Sequence, residues 1–134
     1  MGSLRRSLPP ARAIELRRWT LTTGDGLRQM RADLRQVLPT NQLAERVALV
    51  ATELASNALR HGRPPAVVRL LRDDDCLILD VADQDPESAP EAAAAGHADD
   101  GGRGLPIVRS LTREVCWYTT GDAKHVWAAL PVDG

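Results

Sequence analysis

The sequence predicts an α+β fold: a two-layer α/β sandwich with a mixed, mostly antiparallel sheet and helices on one face. Three observations predict this class. Two pairs of β-rich runs are separated by short turns, helical patterns lie apart from them, and the 134-residue chain has the length of one domain. Strands that pair as hairpins, with the helices kept separate, fit a doubly wound parallel sheet poorly. With 43% hydrophobic residues, we expect a single core.

The composition excludes several classes of protein. A formal net charge of -1 gives no strong field for nucleic acid or an anionic membrane, so we expect neither as a direct partner. The two cysteines, Cys76 and Cys116, are distant in sequence and form no CxxC pair, which predicts a reduced, cytoplasmic protein. No apolar run approaches the roughly 20 residues that cross a bilayer.

The first elements are a strand and a helix. Residues 1–12 are basic and lack a regular apolar pattern, so we interpret them as a flexible leader before one domain at residues 13–134. "IELRRWTL", Ile14–Leu21, has the length and alternation of a strand. A helical pattern then follows and ends at Pro39. Its apolar residues are Leu27, Met30, Leu34, Val37 and Leu38.

A longer helix is predicted over residues 42–60, with Gly62 as its C-cap. The residues that we expect on its buried face are Leu43, Val47, Val50, Leu54 and Ala58. "AVVRLLR" and "CLILDVA" then predict an antiparallel hairpin. Residues 84–104 show no apolar pattern, and a loop of this length in a small domain is usually functional or disordered. "LPIVRSLTREV" predicts a third helix, and "VCWYTT" with "KHVWAALP" predicts a second hairpin.

A row of polar residues on the long helix is the first candidate site. In "ELASNALRHG", residues 53–62, Glu53, Asn57 and His61 recur every four residues, which places them roughly 40° apart around a helix in a nearly straight row. An amide oxygen suits Mg²⁺, and a carboxylate one turn earlier could activate a nucleophile beside a metal-bound phosphate. A solvated polar border of the core explains the same spacing.

The strand "LILDVAD" ends at the second candidate, Asp83. It shares the parity of Leu77, Leu79 and Val81, so it points between the layers if that row faces the helices. A buried carboxylate needs a donor, and the exocyclic amine of adenine is one candidate. The alternative is a strand-end aspartate that faces water.

The third candidate is "GGRGLPIV", residues 101–108. Glycines before a helix let the backbone approach a ligand closely, and the free amides of a helix N-terminus attract phosphate. An ordinary flexible connector would have the same composition.

In this order the three motifs resemble those of the gyrase, histidine kinase and MutL (GHKL) superfamily of ATPases, and within it the anti-sigma-factor serine kinases. "ELASNALRHG" is similar to the N box, "DVADQDP" to the first glycine box and "GGRGLPIV" to the second. The resemblance covers residues 17–130. It implies a Bergerat-type ATP-binding fold, ATP and Mg²⁺ as cofactors, and an ATP lid at about residues 85–104.

The resemblance also implies a role for each matching residue. Asn57 would coordinate Mg²⁺, Glu53 would be the general base, and Asp83 would hold adenine. His61 would lie near the phosphates. The phosphate-binding end of the lid would comprise Gly102, Arg103, Gly104 and Leu105.

Two positions depart from the family pattern. Where the first glycine box continues Asp-x-Gly-x-Gly, Asp83 is followed by residues 84–87, "QDPE", with neither glycine. In the last hairpin, where such domains often place a Thr behind the adenine site, this sequence has His125. We therefore include His125 among the cofactor-binding residues and expect weaker or rearranged contacts to the base.

The resemblance implies a bacterial regulator that phosphorylates a serine or threonine of a STAS-like anti-sigma-factor antagonist and binds a sigma factor directly. It also implies a homodimer. Because of the two departures, other functions stay open: a nucleotide-gated binding switch without catalysis, or a degenerate domain that binds a partner and no nucleotide.

Overall fold

The computed structural model describes residues 4–87 and 104–132, with the backbone alone for Gly104 and Leu105. Within these residues the chain forms an α+β fold of three helices and one six-stranded mixed sheet. The elements are β1 Arg5–Arg6, β2 Ile14–Leu21, α1 Gly26–Val37, α2 Asn41–His61, β3 Ala66–Asp73, β4 Cys76–Asp83, α3 Gly104–Leu111, β5 Glu114–Thr120 and β6 Ala123–Pro131. The predicted fold class is confirmed.

The strands lie side by side in the order β1-β5-β6-β4-β3-β2. β1 pairs with β5 in parallel, and every other pair in this sheet is antiparallel. β3 with β4 and β5 with β6 are the two predicted hairpins. Because β4 and β6 are neighbours, the end of β4 lies beside the start of β6.

The helix α2 is the centre of the helical layer. It begins where the Thr40 Oγ1 accepts a hydrogen bond from the Leu43 N–H (3.1 Å), and it ends where the Gly62 N–H donates to the Ala58 carbonyl (3.0 Å). The predicted apolar face is buried along its whole length. α2 contacts α1, α3 and three strands. In the part of the chain that the structure describes, no helix is both long and apolar enough to cross a membrane.

The strand β4 is buried along its whole length because a different core covers each of its faces. Leu77, Leu79 and Val81 pack with the helices, whereas Cys76 and Ile78 belong to a second apolar cluster on the opposite side. We call that opposite side the outer face. Since successive side chains of a strand point to opposite faces, the residue that ends β4 points towards the helices.

The segment before β2 covers part of the outer face. β1 and β2 lie at opposite edges of the sheet, so the residues between them must cross it. The Ser7 N–H donates to the Trp117 carbonyl (2.9 Å), and the Ser7 carbonyl accepts from the Trp127 Nε1 (2.8 Å). Further along, Ala13 packs against the outer apolar cluster.

These contacts are made by the described part of the segment that we interpreted as a flexible leader, residues 1–12; its flexibility stays a prediction. In its described part, residues 4–12, the segment supplies a strand and an ion pair from the Arg12 Nε to the Asp73 Oδ1 at 2.8 Å. The sequence of this segment is too short and too irregular to predict the strand or the ion pair. The parallel pairing with β5 joins residues that are more than a hundred positions apart, and no local pattern reports such a contact.

A buried polar network lies on the outer face around Asp80, whose side chain is fully buried. The Tyr118 hydroxyl donates to its Oδ2, the His125 Nδ1 lies 2.8 Å from its Oδ1, and the Arg69 Nη2 lies 3.2 Å from its Oδ2. Burial by itself raises the pKa of Asp80, but the hydrogen bonds of His125 and Tyr118 and the charge of Arg69 outweigh it. The pKa of Asp80 is therefore lowered.

We expect Asp80→Asn to lower the free energy of unfolding by about 3 kcal/mol at neutral pH, because a neutral amide replaces the fully buried carboxylate that accepts from Tyr118 and pairs with the partly buried Arg69. A lowered folded-state pKa stabilises the protein above the ordinary value of 3.8, and this contribution is lost as the pH falls through the folded-state pKa. Urea titrations between pH 3 and 7 should therefore show the gap between wild type and variant narrowing in acid.

The matched control for this prediction is Asp74→Asn, since the Asp74 side chain is 77% exposed and its loss should change stability by less than about 0.5 kcal/mol. A wild-type advantage over Asp80→Asn that stays constant down to pH 3 would show that the charge of Asp80 does not stabilise the fold.

Candidate functional site

The polar row of α2 lies at the border of the buried face, where Glu53, Asn57 and His61 are each half-buried. The row results from the four-residue spacing, which keeps the three side chains on one side of a long helix. Among the described residues, neither Glu53 nor Asn57 has a hydrogen-bond or ion-pair partner for its side chain. These two side chains are one helical turn apart, so both are free to bind a ligand at this border.

The end of α2 touches the end of β4. A Cβ added to Gly62 would overlap the carboxylate of Asp83 and would lie 2.7 Å from the Ala58 carbonyl oxygen. Only a glycine fits between the helix end and the carboxylate. The polar row of α2 and the strand-end aspartate are therefore parts of one surface, as the order of the motifs suggested.

Asp83 is buried, with 3% of its surface exposed, and it faces the helices. Its Oδ1 accepts from the Asp85 N–H (2.8 Å) and, at 3.5 Å, from the Arg63 N–H. Its Oδ2 lies 3.5 Å from the Nζ of Lys124. Two backbone N–H groups and one cation thus hold the carboxylate. Asp83 lies on the helix side of the sheet, as the parity of β4 predicted.

The turn after Asp83 is ordered although it lacks the glycines of the family pattern. The Gln84 N–H donates to the Arg63 carbonyl (2.8 Å), and the Gln84 side-chain amide lies 3.4 Å from the Pro65 carbonyl oxygen. With the bond from the Asp85 N–H to the Asp83 carboxylate, these contacts tie the exit of β4 to the segment that follows α2. These hydrogen bonds fix the backbone conformation of the turn, whereas glycines would allow it several conformations.

The third motif is described in part. Gly102 and Arg103 lie outside the described residues, and Gly104 and Leu105 are the first two residues of α3. α3 packs against α2, and its Val108 is fully buried in the helix-side core. The amino end of α3 thus belongs to the same helical layer as the polar row, and free amides at a helix N-terminus suit an anionic ligand.

The structure does not bring His125 to Asp83. In the pairing of β4 with β6, His125 is opposite Ala82 and Lys124 is opposite Asp83. Because paired residues share a face, the His125 side chain lies on the outer face, bonded to Asp80 and stacked on the Tyr118 ring. The position beside Asp83 that the sequence analysis gave to His125 is taken by Lys124.

Sequence reasoning missed Lys124. The alternation of "KHVWAALP" shows that Lys124 and His125 point to opposite faces, but it does not show which face each one takes. A shift of one residue in the pairing of β6 with β4 exchanges the two side chains. The fully buried Ala128 and Leu130 have the parity of Lys124, so the helix-facing row could have been found by extending the apolar pattern backwards.

Together, the two-layer sandwich, the side chains of Glu53 and Asn57 and the buried carboxylate are typical of a nucleotide-binding class of domain. Comparison with known families agrees: the family model of the histidine kinase-like ATPase domain matches residues 21–130. The chain belongs to this family and is an ATP-binding domain of the GHKL type. The matched range includes α2, β4 and α3. Comparison with curated proteins finds none that matches the chain.

We expect Gly62→Ala to lower the free energy of unfolding by about 1 to 3 kcal/mol, because the added methyl group must displace the Asp83 carboxylate or the end of α2. Urea denaturation of the purified variant measures this. Gly121→Ala, in the turn between β5 and β6 where no atom lies within 4 Å, is the control and should change stability by less than about 0.5 kcal/mol. Equal effects of the two substitutions would contradict close contact at Gly62.

Proposed function

We propose that the protein is an ATP- and Mg²⁺-dependent serine/threonine kinase that acts on an anti-sigma-factor antagonist and also binds a sigma factor as an anti-sigma factor. The observation that carries the kinase proposal is the pair Glu53 and Asn57, half-buried, without partners among the described residues, and on a row that leads to the buried Asp83. Because both side chains are only half-buried and neither is among the buried atoms without a partner, their polar atoms are open to a ligand that lies along the row towards the buried carboxylate.

The length of α2 supports a base site at its Gly62 end and a site for the reacting phosphate at Glu53. With a rise of about 1.5 Å per residue, Asn57 lies about 7.5 Å and Glu53 about 13.5 Å along the helix axis from Gly62, where Asp83 is in contact. If the adenine of ATP is held at Asp83, the phosphates of the nucleotide therefore extend along the polar row. The reacting phosphate then comes to the Glu53 end, where a protein substrate can approach.

The residues present fit a magnesium ion. The amide oxygen of Asn57 is a hard ligand without a competing partner among the described residues, and Mg²⁺ usually takes only one or two protein oxygens besides phosphates and water. When bound, the ion would neutralise charge on the phosphates. Asn57 would hold it at the middle of the row, between the base site and Glu53.

The proposed reaction is in-line phosphoryl transfer. The Glu53 carboxylate accepts the proton of the substrate's serine or threonine hydroxyl. The hydroxyl oxygen attacks the γ-phosphorus of ATP, and the bond between that phosphorus and the ADP oxygen breaks. Amides at the start of α3 stabilise the charge on the phosphates. The resemblance also places His61 near the phosphates, and on this helix it lies at the end of the row next to Gly62.

The substrate and partner assignment rests on the resemblance of the N box and the two glycine boxes. It comprises a STAS-like antagonist as the phosphoacceptor, a sigma factor as the bound target, a bacterial cytoplasm as the compartment and a homodimer as the assembly. Each of these is part of the proposal and not of the family assignment.

Glu53→Gln should retain ATP binding and lower phosphoryl transfer by at least about 100-fold, since the amide cannot accept the proton. The measurement is transfer of radiolabelled phosphate from ATP to a purified STAS-domain antagonist, with ATP affinity measured by calorimetry. The control is Glu45→Gln on the same helix, whose carboxylate is exposed and pairs with Arg35. Full transfer by Glu53→Gln would remove Glu53 from the mechanism.

Asn57→Ala should lower ATP affinity by about tenfold in the presence of Mg²⁺ and leave the affinity in EDTA unchanged, because the amide oxygen acts through the ion. Calorimetric titrations in both buffers measure the difference. Asn41→Ala, at the exposed start of α2, controls for loss of an asparagine. An equal loss of affinity in EDTA would show that Asn57 does not act through the metal.

One observation favours a second function, a nucleotide-gated binding switch without catalysis. The turn after Asp83 is fixed by hydrogen bonds where the family pattern has adaptable glycines. A fixed turn is compatible with a domain that binds ATP and changes a partner surface without transferring phosphate. ATP binding by the wild type without transfer to any STAS-domain antagonist would favour this function over the kinase.

A further inference from the structure

A lysine ammonium lies buried beside the base site. Lys124 is 4% exposed, and its side chain lies on the helix face of β6, opposite Asp83 in the strand pairing. Lysine is almost never buried to this degree unless it is paired. Its Nζ lies 3.5 Å from the Asp83 Oδ2, so the two opposite charges are buried together where the two hairpins meet.

This pair leaves hydrogen-bonding capacity unused on the lysine side. An ammonium carries three N–H donors, and among the described residues its contact is with Asp83 alone, at a distance longer than the usual 2.7–2.9 Å of a charge-assisted hydrogen bond. Burying an ammonium is costly unless hydrogen bonds replace those of water. The remaining N–H donors of Lys124 can therefore bond to an acceptor that a ligand supplies.

The carboxylate side also has capacity left. An ionised carboxylate accepts about four hydrogen bonds, and Asp83 accepts from the Asp85 N–H and, at longer distance, from the Arg63 N–H. The pair thus offers an acceptor directly beside a donor. Adenine presents the complementary edge, since its N6 amine is a donor and its neighbouring N1 is an acceptor.

We propose that Lys124 is a base-reading residue, whose Nζ donates to the N1 of adenine while Asp83 accepts from the N6 amine. This inference rests on the proposed nucleotide function and deepens it, because it assigns recognition of the base to a pair of side chains instead of one. It also explains why a lysine is held under the helices with only one partner among the described residues.

The test compares ATP with 1-deaza-ATP, in which a C–H group replaces N1, by calorimetry on the wild-type protein and on Lys124→Met. We expect the wild type to bind 1-deaza-ATP about tenfold more weakly than ATP, because a hydrogen bond to a charged group is lost. Lys124→Met should bind the two nucleotides equally. Arg72→Met, which removes an exposed cation from β3, should retain the wild-type preference.

Each outcome is informative. The wild-type comparison needs no substitution, so a poorly folded Lys124→Met variant does not remove the test. Equal binding of ATP and 1-deaza-ATP by the wild type overturns the inference and leaves the nucleotide function standing. Tighter ATP binding by Lys124→Met than by the wild type also overturns it, because the lysine would then obstruct the base. No binding of ATP by the wild type overturns both.

Discussion

The contact between Gly62 and Asp83 is the constraint on which the site depends. α2 ends at this point and β4 ends at the same point, so this close approach fixes the end of the helix against the end of the strand. A helix is rigid over a few turns, and fixing its last residue therefore fixes the distance of Asn57 and Glu53 from the buried carboxylate. A larger residue at Gly62 would move one end of the ligand site relative to the other.

The composition of the site depends on the outer face of the sheet as well. His125 is bonded to Asp80 and Thr120 and stacks on Tyr118, which holds β6 in one register against β4. Because neighbours in a strand point to opposite faces, this register sends Lys124 to the helix side. The polar network on the outer face thereby supports the same register as the buried Ala128 and Leu130, and this register places Lys124 beside Asp83.

The sequence was most informative where the pattern is local and repeated. The apolar spacing of α2 predicted its extent within one residue at each end and its buried face correctly, and the parity of β4 placed Asp83 between the layers. The sequence was least informative about contacts between distant segments. The role of Lys124 depends on strand register, and the position of residues 4–12 depends on a parallel pairing with β5. Neither of these strand pairings produces a periodic pattern in the sequence.

The crossing of the outer face by residues 7–13 has a consequence for the order in which the chain can fold. β1 pairs with β5, so the first described strand has no partner until Cys116 and Trp117 have been synthesised. Pairings between such distant residues form late because closing a long loop is entropically costly. The outer apolar cluster includes residues of β5 and β6, so it can be completed and covered only after both strands have been synthesised. Residues 4–12 are thus synthesised before the other described elements but can join the sheet only after β5 has been made.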